Sequence, residues 1–468
     1  MAVLLCFLPI CILLCYVVCS SGSSEGEISN DELLLLREET REAFLHSYDS
    51  YMTHAYPFDE LMPLSCRPRR HDERTRGTLD DVLGGYMLTL VDSLDSLVIM
   101  REYGRFAEAL RLIEEGLSFD RDISISVFEA NIRVLGGLLS AHQLAAALFD
   151  HTIYDGKFLL DKAGDLGDRL LPAFATRTGI PIHKVNLRHG VSDKDIKHNC
   201  PAAGASFLVE MGLLSRLSGN PQYETAARKA LKAIWERRSD LDLIGAMIDT
   251  KSGSWISTHS GIGAGIDSYF ETLLKSHILL GDMDLLEWFD AAYDAVQRHT
   301  VKKGIHVEVH MSTGRQGPVY SNYVSALQAF WPGLQTLAGH VMEGEESFYA
   351  LNKLWKKYSM LPDMYDTATN RFLSHSHGYP LRPELIESAY HLYTATGKGK
   401  YVRFGRDAFH SLQNKTKTEC GYASVADVRT GRLDDRMDSY FLAETLMYFF
   451  LLFDEVCAVV LIVCCLVL

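Results

Sequence analysis

The chain lacks the features that mark several common functions. It contains no run of lysine and arginine, and 60 acidic residues outnumber 46 basic ones, which gives a net charge of −14. We therefore expect no basic face for nucleic acid or for an anionic membrane surface. No cysteine or histidine spacing suits zinc, no Gly-x-Ser-x-Gly elbow presents a nucleophile, and the glycine-rich "THSGIGAG" lacks phosphate-binding spacing.

Cysteines are scarce in the body of the chain, although the sequence has ten in all. Seven of them lie in the apolar stretches at the two ends, at Cys6, Cys11, Cys15, Cys19, Cys457, Cys464 and Cys465. The body contains only Cys66, Cys200 and Cys420. In an oxidising compartment one pair of these three is expected to form a disulfide, and the sequence does not select which pair.

Both ends of the chain are apolar. The first end, "MAVLLCFLPICILLCYVVCSSGSSEGE", predicts a secretory signal peptide over residues 1–24. It has no basic residue before the apolar run, so a marginal membrane anchor is the alternative. The other end, "EVCAVVLIVCCLVL" (455–468), is an atypical apolar tail. It is short for a bilayer-spanning helix, and a membrane anchor is again the alternative.

Between the ends, one pattern recurs: an apolar helix, a short turn with glycine, and a second amphipathic helix. The turns at Gly219, Gly281, Gly344 and Gly397 follow one another at intervals of about 60 residues. The three-to-four-residue apolar spacing predicts fourteen helices. They cover residues 31–54, 88–101, 104–116, 126–143, 161–171, 202–218, 222–235, 265–279, 283–298, 320–340, 344–358, 384–396, 399–414 and 437–453.

Fourteen helices in hairpins of about 60 residues indicate an all-α solenoid or a closed α/α toroid. Closure is favoured because neither end of the series shows a polar capping repeat. The sequence thus predicts one barrel of seven helical hairpins over residues 30–454. The longer loops between hairpins carry polar motifs and are expected to gather at one mouth.

Acidic residues interrupt several of the apolar helices. They are Asp92, Asp95, Glu129, Asp267, Glu271, Glu384, Glu387, Asp438 and Glu444. Each has an ordinary structural explanation, such as the i,i+4 pair of Glu129 with Arg133 or a helix-dipole role for Asp267. Together, however, so many costly buried carboxylates predict a shared polar cavity. Such a cavity suits acid–base chemistry on an uncharged polar substrate such as a sugar, or a hard cation.

Five segments carry a resemblance to a known family: "GGYMLTLVDSLDSLVIM", "VFEANIRVLGGLLSAH", "GIDSYFETLLK", "GYPLRPELIESAYHLYTATG" and "RMDSYFLAETL". They resemble glycoside hydrolase family 47, the class I α1,2-mannosidases that trim high-mannose N-glycans. "YDSYMTHAYPFDELMPLSCRPR" and "NLRHGV" resemble its ER degradation-enhancing α-mannosidase-like branch. The resemblance covers about residues 35 to 454 and implies an (α/α)7 barrel with Ca2+-dependent, inverting chemistry.

The resemblance also implies roles for individual residues. Glu129 matches the general acid, Asp267 a second catalytic acid and Glu384 the base, while Glu387 matches an acid beside a metal-bound water. Matches to substrate-binding pocket residues are Asp92, Arg133, Asp363, Arg382 and Glu444. The metal ligands themselves are not identified by the sequence, although Glu387 and Glu444 match positions near the Ca2+ site.

Several positions depart from the family pattern. Ala203 stands where processing members have a pocket glutamate, and Asp363 and Asp438 stand where the family usually has glutamate. The C-terminal plug hairpin, with its Ca2+-binding threonine, has no counterpart in the tail. These departures predict weaker Ca2+ binding and weaker catalysis.

The expected function is that of an ER-lumenal, Ca2+-dependent mannosidase that trims high-mannose N-glycans on misfolded glycoproteins for degradation. The alternative is a protein of the same fold that binds such glycans or misfolded clients without turnover. An ER oxidoreductase is a candidate partner, nucleic acid is not, and membrane association is the less favoured reading of the two ends.

Overall fold

Helices dominate the computed structural model, which describes residues 28–192, 197–302, 304–316, 322–373 and 376–454. The predicted signal peptide (1–24) and the predicted apolar tail (455–468) lie outside the described residues. Of the helices that are described, none has the length and apolar character needed to cross a bilayer.

The helices are numbered in chain order. They are α1 Asn30–His54, α2 Leu88–Asp92, α3 Leu94–Ile99, α4 Tyr103–Gly116, α5 Val127–Glu129 continued by a π-helix Ala130–Leu135 and by Gly136–Leu148, α6 Phe158–Leu170, α7 Pro201–Ala205, α8 Leu208–Ser218, α9 Gln222–Trp235, α10 Asp267–Leu280, α11 Met283–Thr300, α12 Trp331–Leu337, α13 Val341–Tyr358, α14 Glu384–Thr396, α15 Lys400–Thr416, and α16, a π-helix Phe441–Thr445 continued by Leu446–Phe453. Short 3₁₀ helices cover Gly77–Val82, Leu171–Phe174 and Ala326–Phe330.

Seven helix pairs form a closed ring, as the sequence predicts. The inner helices α2–α3, α5, α8, α10, α12, α14 and α16 contact one another in turn, and α16 packs back against α2 and α3. Contact between α10 and α12 includes the edge-to-face rings of Phe270 and Trp331, whose centroids lie 5.2 Å apart. Outer helices α4, α6, α9, α11, α13 and α15 follow their inner partners, and α1 pairs with α16. The fold is an (α/α)7 barrel.

Glycines end three of the inner helices. Gly219, Gly281 and Gly397 adopt left-handed conformations with φ of 75°, 73° and 64°, as predicted for helix C-caps. The predicted turn at Gly344 is wrong, because this residue lies inside α13. A Cβ at Gly344 would lie 2.9 Å from the Pro332 carbonyl oxygen, so the missing side chain permits close packing of α13 on α12.

Short antiparallel β-pairs connect the helical hairpins, and the sequence analysis predicted none of them. The strands are β1 Glu60–Met62, β2 Arg67–Arg69, β3 Ser124–Ser126, β4 Lys184–Asn186, β5 His198–Asn199, β6 Met247–Asp249, β7 Trp255–Ser257, β8 His259–Ser260, β9 Val301–Lys302, β10 Ile305–His306, β11 Val309–His310, β12 Tyr323–Ser325, β13 Met364–Asp366, β14 Arg371–Phe372, β15 Lys417–Thr418, β16 Gly421–Tyr422, β17 Ser424–Asp427 and β18 Arg432–Asp434. They pair as β1–β2, β3–β4, β5–β6–β7, β8–β11, β9–β10, β12–β13–β14, β15–β16 and β17–β18. With two to four residues each, they are too short to show an alternating pattern.

A disulfide joins the first and last parts of the ring. Cys66, in the β1–β2 connection, bonds to Cys420, in the β15–β16 connection, across 354 residues of chain. Cys200 carries a free thiol. The same junction is held by His46, whose Nε2 lies 3.0 Å from the Thr418 carbonyl oxygen. The sequence left three pairings open, and ring closure brings together the two cysteines farthest apart.

We expect the double variant Cys66→Ser/Cys420→Ser to unfold at a lower temperature than the wild type, with a loss of about 2–5 kcal/mol, because the bond restricts the unfolded chain. Thermal unfolding with and without dithiothreitol measures the effect. Cys200→Ser is the matched control and should keep the wild-type response to reductant. A double variant as stable as the wild type would contradict the prediction.

Candidate active site

The inner helices enclose a cavity of about 600 Å³ at the centre of the ring. Eight carboxylates line it: Asp92, Glu129, Glu210, Asp267, Glu271, Glu384, Glu387 and Glu444. The lysine and arginine side chains in the lining are Arg133, Lys275 and Arg382. Eight of the nine site residues predicted from the sequence therefore line one cavity. The ninth, Asp363, does not line it but accepts a hydrogen bond from Arg382, which does.

Arg133 ties together three acids from three helices. Its Nε donates to Glu129 Oε2 at 2.8 Å, and its Nη1 donates to Glu444 Oε1 at 3.2 Å. The same Nη1 lies 3.8 Å from Asp92 Oδ2, which also accepts from the Ser439 hydroxyl. The predicted i,i+4 pair of Glu129 and Arg133 thus exists, and it belongs to the cavity wall.

Two π-helical turns carry this cluster. Glu129 ends the first α-turn of α5 and Arg133 lies in the π-helix that follows, while Glu444 lies in the π-helix of α16. Ser126 caps the start of α5, because its Oγ accepts from the Glu129 backbone N–H at 3.3 Å. Single π-turns inside α-helices are frequent at functional sites.

The segment before α14 has a strained backbone. Leu381 is fully buried and has φ of +60°, a left-handed conformation that is costly for a leucine. Thr445 Oγ1 donates to the Leu381 carbonyl at 2.7 Å, and the Tyr440 hydroxyl donates to the Pro380 carbonyl at 2.7 Å. These two bonds, from α16 and from the residue just before it, fix the turn from which Glu384 and Glu387 enter the cavity.

Arg382, which lines the cavity, is hydrogen-bonded to an acid that does not line it. Its Nε and Nη2 both donate to Asp363 Oδ1 at 3.0 Å. The resemblance implies substrate binding for Asp363, and in the structure Asp363 accepts hydrogen bonds from Arg382. Asp363 therefore holds the guanidinium beside Glu384.

Asp267, Glu271 and Lys275 lie four residues apart on α10 and face the cavity from one wall. Asp267 Oδ1 accepts from the backbone N–H of Ser268 at 2.9 Å. Lys275 Nζ donates to Glu271 Oε1 at 3.0 Å and lies deep in the ring, 8% exposed. This wall of the cavity therefore carries a carboxylate bonded to a backbone N–H, Asp267, and a salt-bridged pair, Glu271 and Lys275.

Burial shifts the titration of these acids. Desolvation raises the pKa of Asp92, Asp267 and Glu384 to about 7 and that of Glu387 to about 8. Arg382 opposes the shift of Glu384, and Lys275 opposes that of Glu387. The cavity therefore contains both protonated and ionised carboxyls near neutral pH, as general acid–base chemistry requires.

Asp438 was noted in the sequence as a shortened acid, and it lies beside the cavity rather than in it. Arg436 Nε donates to its Oδ2 at 2.7 Å, and the Tyr440 hydroxyl, whose one hydrogen is shared between the Pro380 carbonyl and this carboxylate, lies 2.9 Å from the same Oδ2. Burial opposes ionisation, but Arg436 and Arg76 hold the pKa of Asp438 below its ordinary value. Asp438 thus positions Tyr440, whose ring lies 5.1 Å from the Arg133 guanidinium carbon.

Oxygen ligands, which Ca2+ prefers, are abundant in the part of the cavity lining formed by Glu271, Glu387 and Glu444. Tyr448 donates to Glu387 Oε1 at 3.3 Å. Across the described residues, no three His, Cys, Asp or Glu side chains converge closely enough to form a metal centre by themselves. The residues fit a hard cation that takes most of its ligands from water, substrate hydroxyls or backbone oxygens.

Sequence reasoning missed Glu210 and Lys275 as cavity residues. Glu210 interrupts the apolar run "FLVEMGLL", and Lys275 follows Asp267 at i+8 on the same helix face. Both features are visible in the sequence and could have identified these two residues. Glu210 Oε2 accepts from the Asn131 side chain at 2.7 Å, and burial raises the pKa of Glu210 to about 7.

Residues 43–461 match the sequence model of glycosyl hydrolase family 47. The chain is 41% identical over 451 residues to "ER degradation-enhancing alpha-mannosidase-like protein 3" of Xenopus laevis, covering 93% of this chain and 48% of that protein. It is 43% identical over 437 residues to "Alpha-mannosidase I MNS4" of Arabidopsis thaliana, covering 92% and 68%. It is 42% identical over 422 residues to the human "ER degradation-enhancing alpha-mannosidase-like protein 2", covering 89% and 70%.

The chain thus spans about half the length of the first of these relatives. Among solved structures, "alpha-1,2-mannosidase from Trichoderma reesei" matches with a TM-score of 0.79 at 24% identity, over 90% of this chain and 94% of that one. This likeness agrees with the closed ring of seven helix pairs. On the sequence match over residues 43–461 and the relatives above 40% identity, the chain belongs to glycosyl hydrolase family 47.

Proposed function

We propose that the protein is an α1,2-mannosidase of the ER lumen that trims high-mannose N-glycans on misfolded glycoproteins and so directs them to degradation. The observation that carries the proposal is the convergence of Glu129, Asp267 and Glu384, from three different helices, on one cavity of about 600 Å³. Family membership and the printed names of the relatives support the substrate class and the compartment. The Cys66–Cys420 disulfide agrees with an oxidising compartment.

The proposed reaction is hydrolysis with inversion. The bond between the anomeric carbon and the glycosidic oxygen breaks, and the leaving oxygen takes a proton from Glu129. A water molecule bonds to the anomeric carbon from the opposite face and gives its proton to Glu384. Asp267 serves as the second acid, with its pKa raised to about 7 by burial. Arg133 holds Glu129 in place by a hydrogen bond, and the charge of Arg382, which is bonded to Asp363, favours the ionised form of Glu384.

We further propose that the enzyme is Ca2+-dependent, with Glu387 and Glu444 beside the cation. A bound divalent ion supplies charge to lower the pKa of a water molecule and to hold sugar hydroxyls. The mutual repulsion of the buried acids supports this proposal, because like charges from Glu271, Glu444 and Glu384 help raise the pKa of Glu387. Positive charge beside these acids would relieve that repulsion.

A second candidate is a protein that binds mannose glycans or misfolded clients without turnover. The observation that favours it is Ala203, which lines the cavity where processing members have a carboxylate. A cavity with one acid fewer retains room and hydrogen-bonding groups for a sugar. For either candidate, the proposed partners are high-mannose glycoproteins and an ER oxidoreductase that forms the 66–420 disulfide.

Glu129→Gln and Glu384→Gln are expected to lower kcat on a high-mannose glycan by about 10²- to 10⁴-fold, because each removes a proton-transfer group. Mass spectrometry of the glycan measures the loss of mannose, and NMR identifies the anomer first released. We expect β-mannose from the wild type. Glu345→Gln, on the outer helix α13, is the control and should keep full activity.

Release of α-mannose would overturn the inverting mechanism. A wild-type protein that binds the glycan but releases no mannose, with Glu129→Gln binding equally well, would favour the second candidate.

Addition of Ca2+ to chelator-treated protein is expected to raise the unfolding temperature, since a ligand at 100 times its Kd stabilises by about 2.7 kcal/mol. Glu387→Gln should reduce this shift because it removes a carboxylate next to the proposed cation. Differential scanning fluorimetry with Ca2+ and Mg2+ measures it. An equal shift in Glu387→Gln would contradict the proposed position of the cation, while Glu345→Gln should respond like the wild type.

Glu210→Gln is expected to stabilise the metal-free protein at pH 8 by about 1–3 kcal/mol but to have little effect at pH 5. The folded pKa of Glu210, about 7, exceeds the ordinary 4.5, so its ionisation destabilises the fold as the pH rises through that window. The glutamine still accepts from Asn131. Denaturant unfolding in EDTA at both pH values measures the effect.

The control for this pH test has the opposite sign. Bonds from Lys398 and Lys400 outweigh burial and lower the pKa of Glu345 to about 2, so Glu345→Gln should destabilise the protein at both pH values. If Glu210→Gln destabilises equally at pH 5 and pH 8, the raised pKa is not what governs its effect.

A further inference from the structure

The sequence contains one N-glycosylation sequon, Asn414-Lys415-Thr416, and the proposed reaction makes no use of it. The sequon occupies the last turn of α15, which ends at Thr416. No other asparagine in the sequence is followed two residues later by serine or threonine. The chain therefore offers a single acceptor to an enzyme that attaches N-glycans.

The two recognition groups of the sequon have opposite surroundings in the folded ring. The Asn414 side chain is exposed, so a glycan attached to it would extend into solvent. Thr416 is fully buried, and its hydroxyl donates to the Leu412 carbonyl at 2.7 Å. An enzyme that attaches the glycan must read the hydroxyl as well as the amide, because both belong to the acceptor motif. The folded protein can therefore carry a glycan on Asn414 but cannot accept one.

The contacts around the last turn of α15 keep the threonine buried. The Ala423 N–H donates to the Thr416 carbonyl at 2.7 Å, and Lys415 Nζ donates to the Tyr358 carbonyl at 3.2 Å. Four residues after the sequon, Cys420 forms the disulfide that closes the ring. Attachment of a glycan must therefore precede the folding of α15 and the closure of the ring.

The position of α15 in the ring leaves room for a glycan. The helix follows α14 after the short turn at Gly397 and packs against its outer side, so the two helices run in opposite directions. The last turn of α15 thus lies at the end of the ring where Glu384 begins α14. A glycan on Asn414 would stand on the outer wall, outside the cavity that the inner helices enclose.

We propose that Asn414 carries an N-linked glycan, which is attached before α15 folds. The amide nitrogen of Asn414 bonds to the anomeric carbon of an oligosaccharide carried on a lipid pyrophosphate. The bond between that carbon and the pyrophosphate oxygen breaks, and the amide nitrogen loses a proton. This inference rests on the ER compartment of the proposed function and is independent of the mannosidase activity.

Expression in a eukaryotic secretory cell line tests the site. Treatment with peptide N-glycosidase F should remove the mass of one glycan, and in H2¹⁸O it should leave an ¹⁸O-labelled aspartate in place of Asn414, which peptide mass spectrometry detects. Asn414→Gln and Thr416→Ala should abolish the mass shift, whereas Thr416→Ser should retain it because it keeps the hydroxyl. Asn30→Gln is the matched control, since Asn30 is exposed on a helix but lies outside any sequon.

A second experiment tests the order of events. Protein from the bacterial periplasm, which carries no glycan, is offered to oligosaccharyl transferase with its lipid-linked donor. Protein that has been reduced and unfolded should be modified at Asn414, whereas the native protein should not, because the hydroxyl of Thr416 is buried. Equal modification of the two forms would overturn the proposed order.

The state of the disulfide separates failure of the site from failure of the proposed function. Peptide mapping of the cell-expressed protein without reductant reports the Cys66–Cys420 bond in the same sample. An oxidised 66–420 pair beside an unmodified Asn414 would overturn the glycan while leaving the proposed compartment intact. A reduced pair beside an unmodified Asn414 would overturn the ER compartment and, with it, this inference.

Discussion

The burial of many like charges in one space is the constraint on which this structure depends. Eight carboxylates line the cavity, against the side chains of Arg133, Lys275 and Arg382. An isolated buried carboxylate costs several kcal/mol, and the cost falls only when it is protonated, hydrogen-bonded or paired. The acids here use all three routes: Glu129 and Glu444 bond to Arg133, Glu210 bonds to an amide, and several others have a raised pKa.

Local irregularity of the backbone is what brings these groups together. A π-turn holds one more residue than an α-turn, so the side chains after it rotate by about 100° relative to a regular helix. The π-turns in α5 and α16 lie where Arg133 meets Glu444. The left-handed Leu381 lies in the turn that leads into α14, and hydrogen bonds from Thr445 in α16 and from Tyr440 just before it stabilise that conformation. The strained elements thus meet at α16, which closes the ring.

Much of the ring was predictable from the sequence, because its signals are local. The bounds of α9 and α14 agree with the predicted 222–235 and 384–396, since amphipathic spacing and an end signal coincide there. The predicted helix 320–340 was wrong at its start: β12 occupies Tyr323–Ser325, and pairing with β13, forty residues later, decides its conformation. Pairing between distant segments also explains the disulfide, which no local pattern specifies.

Within the site, the acids were predictable and their partners were not. An acid in an apolar helix is visible in the sequence, but the hydrogen-bond partner of Arg382, which is Asp363, is set by how two loops meet. Lys275 was hidden for the opposite reason, because a lysine paired with Glu271 at i,i+4 reads as an ordinary surface pair. The proposed roles assigned to these residues therefore depend on the tertiary contacts as much as on the motifs.

The same contacts bear on why the cavity is charged at all. A protein with well-packed apolar residues in place of buried ion pairs is often as stable or more stable. Burial of the acids is also costly in itself, as the pKa of Glu387, raised to about 8, indicates. The acids are therefore poorly explained by stability, and the strained Leu381 adds a further cost. A ligand that offers hydroxyl donors to the ionised carboxylates and acceptors to Arg133 and Arg382 would recover part of that cost on binding. A neutral sugar has both kinds of group, whereas an anionic ligand would add to the repulsion.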